Sequence, residues 1–323
     1  AAASAIAFAC IGGVNAVATA SVLVLAVWWL ATRERNRATA TLAGWWALGI
    51  LLASLWWAIP LLILGRYSPP FLDWIESASI TTSITSTANV LRGVDTWLPY
   101  LADSQGPLLP SGWALVQSWP GILGTAIVAT IGAAGLTMRK LPERPFLVGA
   151  ALIGLALVSL GHVGAADGFG ADAVRTWLDG PLAPLRNVHK FDVILRLPLA
   201  LGCTVVVAAV MRWAHSRSLR SVPLAPVVGI ALASAITLSA WPMLAGTVAR
   251  DRSFIEIPEY WRDTATYLSE QDAGRALILP EASAAVFQWG RTNDEPLQAL
   301  DMVPWTVRDS VPLSSGGNIR MLD

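Results

Sequence analysis

Six long apolar runs, separated by short charged or turn-rich segments, set the pattern of this chain. They fall near residues 5–30, 42–64, 113–136, 146–166, 191–213 and 222–246. A helix needs about 20 apolar residues to cross about 30 Å of hydrocarbon, so the pattern predicts about six transmembrane helices. After residue 246 the pattern changes. Charge density becomes ordinary, Trp261, Ala265 and Leu268 recur with helical spacing, and Arg275 to Pro280 reads as a strand. The predicted fold class is therefore an all-α polytopic membrane protein over 1–246, followed over 247–323 by the start of an outer α/β domain.

Within the runs, small residues mark close helix approach. Gly12 and Gly13 do so in the first run, where Asn15 requires a partner inside the bundle. Ala150, Gly154, Ala156 and Gly161 form a second packing face. Pro120 and Pro242 are expected to kink or begin their helices. The segment 65–112 is too long for a plain connection. In it, Ser68 and Pro69 form a helix start, and Phe71, Trp74, Ile75 and Ala78 recur at i, i+3, i+4 and i+7. A short amphipathic helix in the membrane interface follows, with Asp73 and Glu76 on its polar side. The segment 167–190 is a second outer loop, in which Trp177 caps the membrane edge.

Composition supports this reading. The chain is 54% hydrophobic and 14% charged, with a net charge of zero, so nothing in it points to nucleic acid. Its 16 Trp include pairs near run ends, such as Trp28-Trp29 and Trp45-Trp46, where an amphipathic ring suits the headgroup level. Cys10 and Cys203 lie in apolar runs and read as buried small hydrophobes. The His residues lack metal-ligand spacing. Short loops carry Arg33, Arg35 and Arg37, then Arg139, Lys140 and Arg144, then Arg212, Arg217 and Arg220. The positive-inside rule makes these loops cytoplasmic and places 65–112, 167–190 and the tail outside. The chain opens without Met or a basic leader and is expected to be an internal segment of a longer protein.

One stretch concentrates chemistry: L-R-N-V-H-K-F-D-V-I-L-R-L-P, residues 185–198. Arg186, His189, Lys190 and Arg196 form a cationic patch where the fifth span begins. Charge near mid-bilayer costs about 3 kcal/mol or more, whereas at the edge it can hold a lipid phosphate. The bland alternatives are snorkelling by basic side chains and, for Asp192 with Arg196, a structural i,i+4 ion pair.

The strings G-R-Y-S-P-P-F-L-D-W-I-E (65–76), L-R-N-V-H-K-F-D-V-I-L-R-L-P (185–198), Q-W-G-R-T-N-D-E-P-L-Q (288–298) and V-P-W-T-V-R-D-S-V-P-L-S-S (303–315) carry a resemblance. With them the chain resembles the large D-type mycobacterial α-(1→3)-arabinofuranosyltransferases, of which it covers a middle part. The resemblance implies a GT-C helical bundle in the inner membrane with its active site on the periplasmic face. It implies a decaprenyl-phospho-arabinofuranose donor and an arabinan acceptor. The GT-C pattern puts the general-base Asp in the first outer loop, upstream of Ala1. The candidates within this chain are Glu76 and His189 as catalytic groups, and Asp73, Trp74, Arg186, Lys190 and Arg196 as substrate-binding groups. A carboxylate must take the acceptor proton and cations must stabilise the departing phosphate. A divalent cation stays open as a cofactor. Two other readings stay open as well. One is a polyprenyl-lipid flippase, although no internal repeat is visible. The other is a scaffold whose basic loops dock an acidic cytoplasmic partner, such as an acyl carrier protein.

Overall fold

The computed structural model describes residues 2–10, 16–66, 76–103, 106–219, 222–248, 256–271, 274–279, 286–292, 295–300 and 304–307. It divides into two compact units, Ala1–Ile59 with Ile75–Ala249, and Pro60–Trp74 with Arg250–Asp323.

The first unit is helical. Its elements are α1 (Ala2–Ala9), α2 (Ala16–Ala31), α3 (Arg37–Leu64) as far as Ile59, α4 (Ala78–Thr82) and α5 (Thr87–Arg92). A two-residue-strand hairpin, β1 (Ala102–Asp103) with β2 (Gly106–Pro107), leads into α6 (Pro110–Gln117) and α7 (Trp119–Thr137). Then come α8 (Arg144–Ser159), α9 (Ala171–Asp179), α10 (Asp192–His215), a second hairpin of β3 (Ser218–Leu219) and β4 (Val222–Pro223), α11 (Leu224–Ser239) and α12 (Trp241–Leu244). The chain has membrane-spanning helices. Of the expected six spans, Arg37–Ile63, Trp119–Thr137 and Val188–His215 are long and apolar enough to cross a bilayer. Val17–Ala31, Arg144–Ser159 and Leu224–Ser239 are apolar but shorter.

Local chemistry shortens the runs. Run 113–136 is cut at Ser118, whose hydroxyl accepts from the Gly121 N–H at 3.2 Å and so caps a new helix. Pro120 and Pro242 both sit in the first turn of a helix and begin it, while Pro60 and Pro198 lie inside α3 and α10. The described helices stop at Ala9 and resume at Ala16. Gly12, Gly13 and Asn15, and the helix start at Ser68 with Phe71, Trp74 and Ile75, lie outside the described residues.

Glycine sets the bundle centre. A Cβ on Gly135 would stand 2.1 Å from the Gly202 carbonyl oxygen, so α7 and α10 cross backbone to backbone. Gly154 does the same for α8 against Leu195 of α10. Around this crossing Val90, Ala150, Val158, Phe191, Ile194, Leu195 and Leu199 form the main apolar core. A smaller cluster of Ala78, Leu178 and Val188 ties α4 and α9 to the start of α10. One reading is corrected here. Cys10 is exposed and Cys203 half-buried, both as free thiols. An apolar run in a membrane helix turns a residue toward lipid as readily as toward protein.

The second unit contains α13 (Glu259–Glu270), in which Ala265 is buried and Trp261 and Leu268 are half-buried. Strand β5 (Ala276–Ile278) forms where the strand was expected. Then come the hairpin β6 (Val286–Phe287) with β7 (Gly290–Arg291), helix α14 (Pro296–Leu300) and β8 (Trp305–Val307), which pairs parallel with β5.

Candidate functional site

The cationic stretch is a break in helix geometry at the entrance of α10. Residues Val188–Phe191 form a 3-10 turn that runs into α10 at Asp192. Val188 and Phe191 are buried on one side of this turn, so His189 and Lys190 are directed away from that apolar face.

The residues before the turn tie three outer segments together. Arg186 is buried, 5% exposed. Its guanidinium donates to the Leu178 carbonyl at 3.2 Å and to the Glu76 carbonyl, and lies 3.4 Å from the Asp179 carboxylate. The neighbouring Asn187 donates to Glu76 Oε1 and accepts from Trp97 Nε1 at 3.0 Å. Asp179 in turn accepts from the Ala78 N–H at 2.7 Å. The Glu76 segment, the Trp97 turn, the end of α9 and the mouth of α10 therefore form one hydrogen-bonded cluster. Glu76 lies half-buried within it.

One turn into α10, Arg196 makes the expected ion pair with Asp192 in two-pronged form, both N–O distances being 2.6 Å. The same guanidinium donates to the Leu91 carbonyl at 2.8 Å and to the Val90 carbonyl, closing the open end of α5. Gly93 makes this approach possible. It ends α5 at φ 76°, and a Cβ there would stand 3.2 Å from Arg196 Cζ. Arg92 is held by Thr125 Oγ1 at 3.0 Å and the Leu115 carbonyl at 2.9 Å. Together Arg92, Gly93, Asp192 and Arg196 edge a cavity of about 370 Å³ that runs between α7 and α10 past Thr125 and Cys203.

Asp95 is the feature that sequence reasoning passed over. It lies just after Gly93, is 3% exposed, and its Oδ2 has no hydrogen-bond partner. Burial first, and then the neighbouring Asp192 charge, push its carboxyl up to about 7, against a smaller opposing pull from Arg196. Such a carboxyl changes charge near neutral pH, which is what proton transfer requires. Burial also lowers Arg92 and raises Tyr100, and each is partly offset by the other's charge. The signal in the sequence was an acid set between Arg92-Gly93 and Trp97-Leu98-Pro99. Asn187 was missed too, since an amide inside a cationic string draws no notice.

The remaining candidates divide clearly. The Lys190 side chain has no hydrogen bond or ion pair among the described residues. His189 Nδ1 is buried without a partner, within electrostatic range of Lys190, Glu76 and Asp192. Asp73 and Trp74 lie outside the described residues. Among the described residues, no group of three or more His, Cys, Asp or Glu side chains converges as a metal site would.

The family described as alpha-(1→3)-arabinofuranosyltransferase, N-terminal GT-C domain, has a model that matches residues 1–323. The chain belongs to this family. It is 41% identical to the alpha-(1→3)-arabinofuranosyltransferase of Mycolicibacterium smegmatis, covering 100% of this chain and 23% of the relative. It is 40% identical to the enzyme of the same name from Mycobacterium tuberculosis, again covering 23% of it. The chain thus spans about a quarter of the length of these arabinofuranosyltransferases. Cryo-EM structures of arabinofuranosyltransferase AftD from mycobacteria are similar over 98% of this chain and 20% of theirs. Their TM-scores are 0.65 at 37% identity and 0.62, for a mutant R1389S class, at 33% identity. The GT-C fold implied by the sequence strings is therefore the fold of this domain.

Proposed function

We propose that this chain is the GT-C portion of an enzyme that moves arabinofuranose from decaprenyl-phospho-arabinofuranose to an arabinan acceptor on the periplasmic face of the inner membrane. The observation that carries the reading is the unpaired Lys190 at the mouth of α10, beside His189, which lies within electrostatic range of Glu76 and Asp192. Lys190 is the ligand for the departing phosphate, because it has no protein partner to give up. His189 stands beside it to share or supply a proton. Glu76, oriented by Asn187, and Asp95, titrating near pH 7, are the carboxyls available to sugar hydroxyls and to the moving proton. Arg186 and Arg196 act as positioning residues. Arg186 orders the Glu76 segment, and Arg196 fixes α5 and Asp192 against α10. Asp73 and Trp74, which lie outside the described residues, are kept as substrate-binding groups on the strength of the sequence strings.

The proposed topology has six spans, the short apolar helices crossing with help from tilt and interfacial anchors. The contact of Arg33 with Glu143 supports it, because it brings two of the basic loops to one end of the bundle. That end is the cytoplasmic one, and the cluster at Asp192 lies at the opposite end of α10 from Arg212 and His215. The second unit opens the periplasmic α/β domain.

The test is transfer from the lipid donor by the full-length protein carrying Lys190→Ala, His189→Ala or Glu76→Gln. Each is expected to lower turnover by 10-fold or more, in line with about 10²–10⁴-fold contributions from proton-transfer and charge-stabilising groups. Unchanged turnover in all three, with normal expression, would remove the site.

A further inference from the structure

The opposite end of the bundle holds a second crevice, of about 430 Å³, which the transfer site does not use. Its walls are Leu25, Ala26 and Leu30 of α2, Leu42 and Trp46 of α3, and Phe146 of α8. All of these lie at the helix ends that meet the basic loops. Hydrogen bonds fix the walls. Trp28 Nε1 donates to the Phe146 carbonyl at 2.9 Å, and Trp46 Nε1 donates to Ser4 Oγ at 3.0 Å. At the mouth, Arg33 stacks on the Trp29 ring at 4.4 Å and pairs with Glu143.

The two loops that adjoin these helix ends, 31–37 and 138–144, carry an excess of positive charge. Arg35, Arg37, Arg139 and Lys140 are all exposed, and none of their side chains has a hydrogen bond or ion pair among the described residues. Of the two acids in these loops, Glu143 is taken by Arg33 and Glu34 is exposed, which leaves the cations in excess. An apolar slot sized for a small ligand, rimmed by unspent cations, calls for an occupant with an apolar chain and an anionic head. A soluble acidic protein would satisfy the rim and leave the slot empty. A zwitterionic lipid would fill the slot and leave the rim uncompensated.

We propose that this crevice holds one acyl chain of an anionic phospholipid of the inner leaflet, with its phosphate gripped by Arg35 and Arg37. The proposal rests on the membrane-spanning fold and on the orientation proposed above, and not on the transfer chemistry. In this arrangement the lipid wedges α2 against α3. Chain burial gives no preference over bulk lipid, since the surroundings are equally apolar. Selectivity therefore comes from the head. Each surface cation near an anionic headgroup contributes about fivefold, so two give roughly 25-fold.

The experiment uses full-length protein in phosphatidylcholine nanodiscs doped with spin-labelled phosphatidylglycerol or spin-labelled phosphatidylcholine. The measured quantity is the motionally restricted fraction. The wild type is expected to restrict the phosphatidylglycerol label about 25-fold more strongly. Ala26→Phe, which fills the slot, is expected to abolish the excess restriction of the phosphatidylglycerol label over the phosphatidylcholine label. The exposed pair Arg35→Gln/Arg37→Gln cannot disturb the core and is expected to bring the two labels within about twofold of each other. Equal restriction of both labels by the wild type would overturn the proposal. So would unchanged restriction in the double variant, including the case in which that variant instead loses capture of an acidic protein. Donor-transfer activity measured in parallel keeps this result separate from the fate of the transfer site.

Discussion

Asp95 offers the sharpest single test, because its burial makes a signed prediction about pH. The side chain is 3% exposed, with one carboxylate oxygen unpartnered and Asp192 nearby. Its carboxyl titrates at about 7, against about 3.9 for a solvated Asp. The folded state therefore holds the proton more tightly than the unfolded state does. Stability contributed by this group is fully present below pH of about 4 and is lost as pH rises toward 7. The total loss is on the order of 4 kcal/mol, from a pKa displacement of about three at roughly 1.4 kcal/mol each. Between pH 5 and pH 8 the linkage relation gives about 3 kcal/mol, or roughly a hundredfold change in local opening. Asp95→Asn removes the titration. A constant offset of about 1–3 kcal/mol from burying the amide does not alter the slope. The assay is hydrogen-exchange protection of peptides covering residues 87–97 and 188–200 in the full-length protein, corrected for intrinsic rate. Wild-type protection should fall with pH while that of Asp95→Asn stays flat, so that the variant gains on the wild type as pH rises. A flat wild-type profile, or an equal slope in the variant, would show that Asp95 is ionised and solvated throughout.

Other outcomes follow from the same contacts. Arg196→Met should destabilise the protein by about 3–5 kcal/mol, read as a lower melting temperature in detergent, because it strands a largely buried Asp192 and uncaps α5. Arg196→Lys should recover less than half of that loss, since a point charge cannot make the two-pronged bond. Gly135→Ala should cost about 1–3 kcal/mol, because its Cβ meets the Gly202 backbone and not a movable side chain. Arg186→Ala should lower turnover and raise protease cleavage near Glu76 together. Glu76→Gln should lower turnover with cleavage unchanged, which separates positioning from chemistry.

Much of the bundle was legible in the sequence because hydrocarbon imposes a simple rule: long apolar runs become helices. Run ends were less legible. Ser118 divides one run by a capping bond, and α8 ends at Ser159 in mid-run. Both depend on which hydrogen bonds a segment can find nearby. The site was half legible. The cations of 185–198 stood out as charges in an apolar setting, and the Asp192–Arg196 pairing follows from helix geometry. What separated them was invisible, since nothing in the string distinguishes Arg186, bound on several sides, from Lys190 four residues later, whose side chain is unpaired. Asp95 is an ordinary acid in the sequence. Only its neighbours make it unusual.

The sequence alone determined a membrane-embedded helical chain, the end of the bundle on which its cations gather, and the family strings it carries. These depend on composition and local periodicity, which a chain possesses before it folds. Tertiary structure decided which charges are spent and which are free, and which carboxyl loses its water. Hydrogen bonds and desolvation are properties of groups brought together across about a hundred residues, as Glu76 and Asn187 are, and no local pattern encodes them.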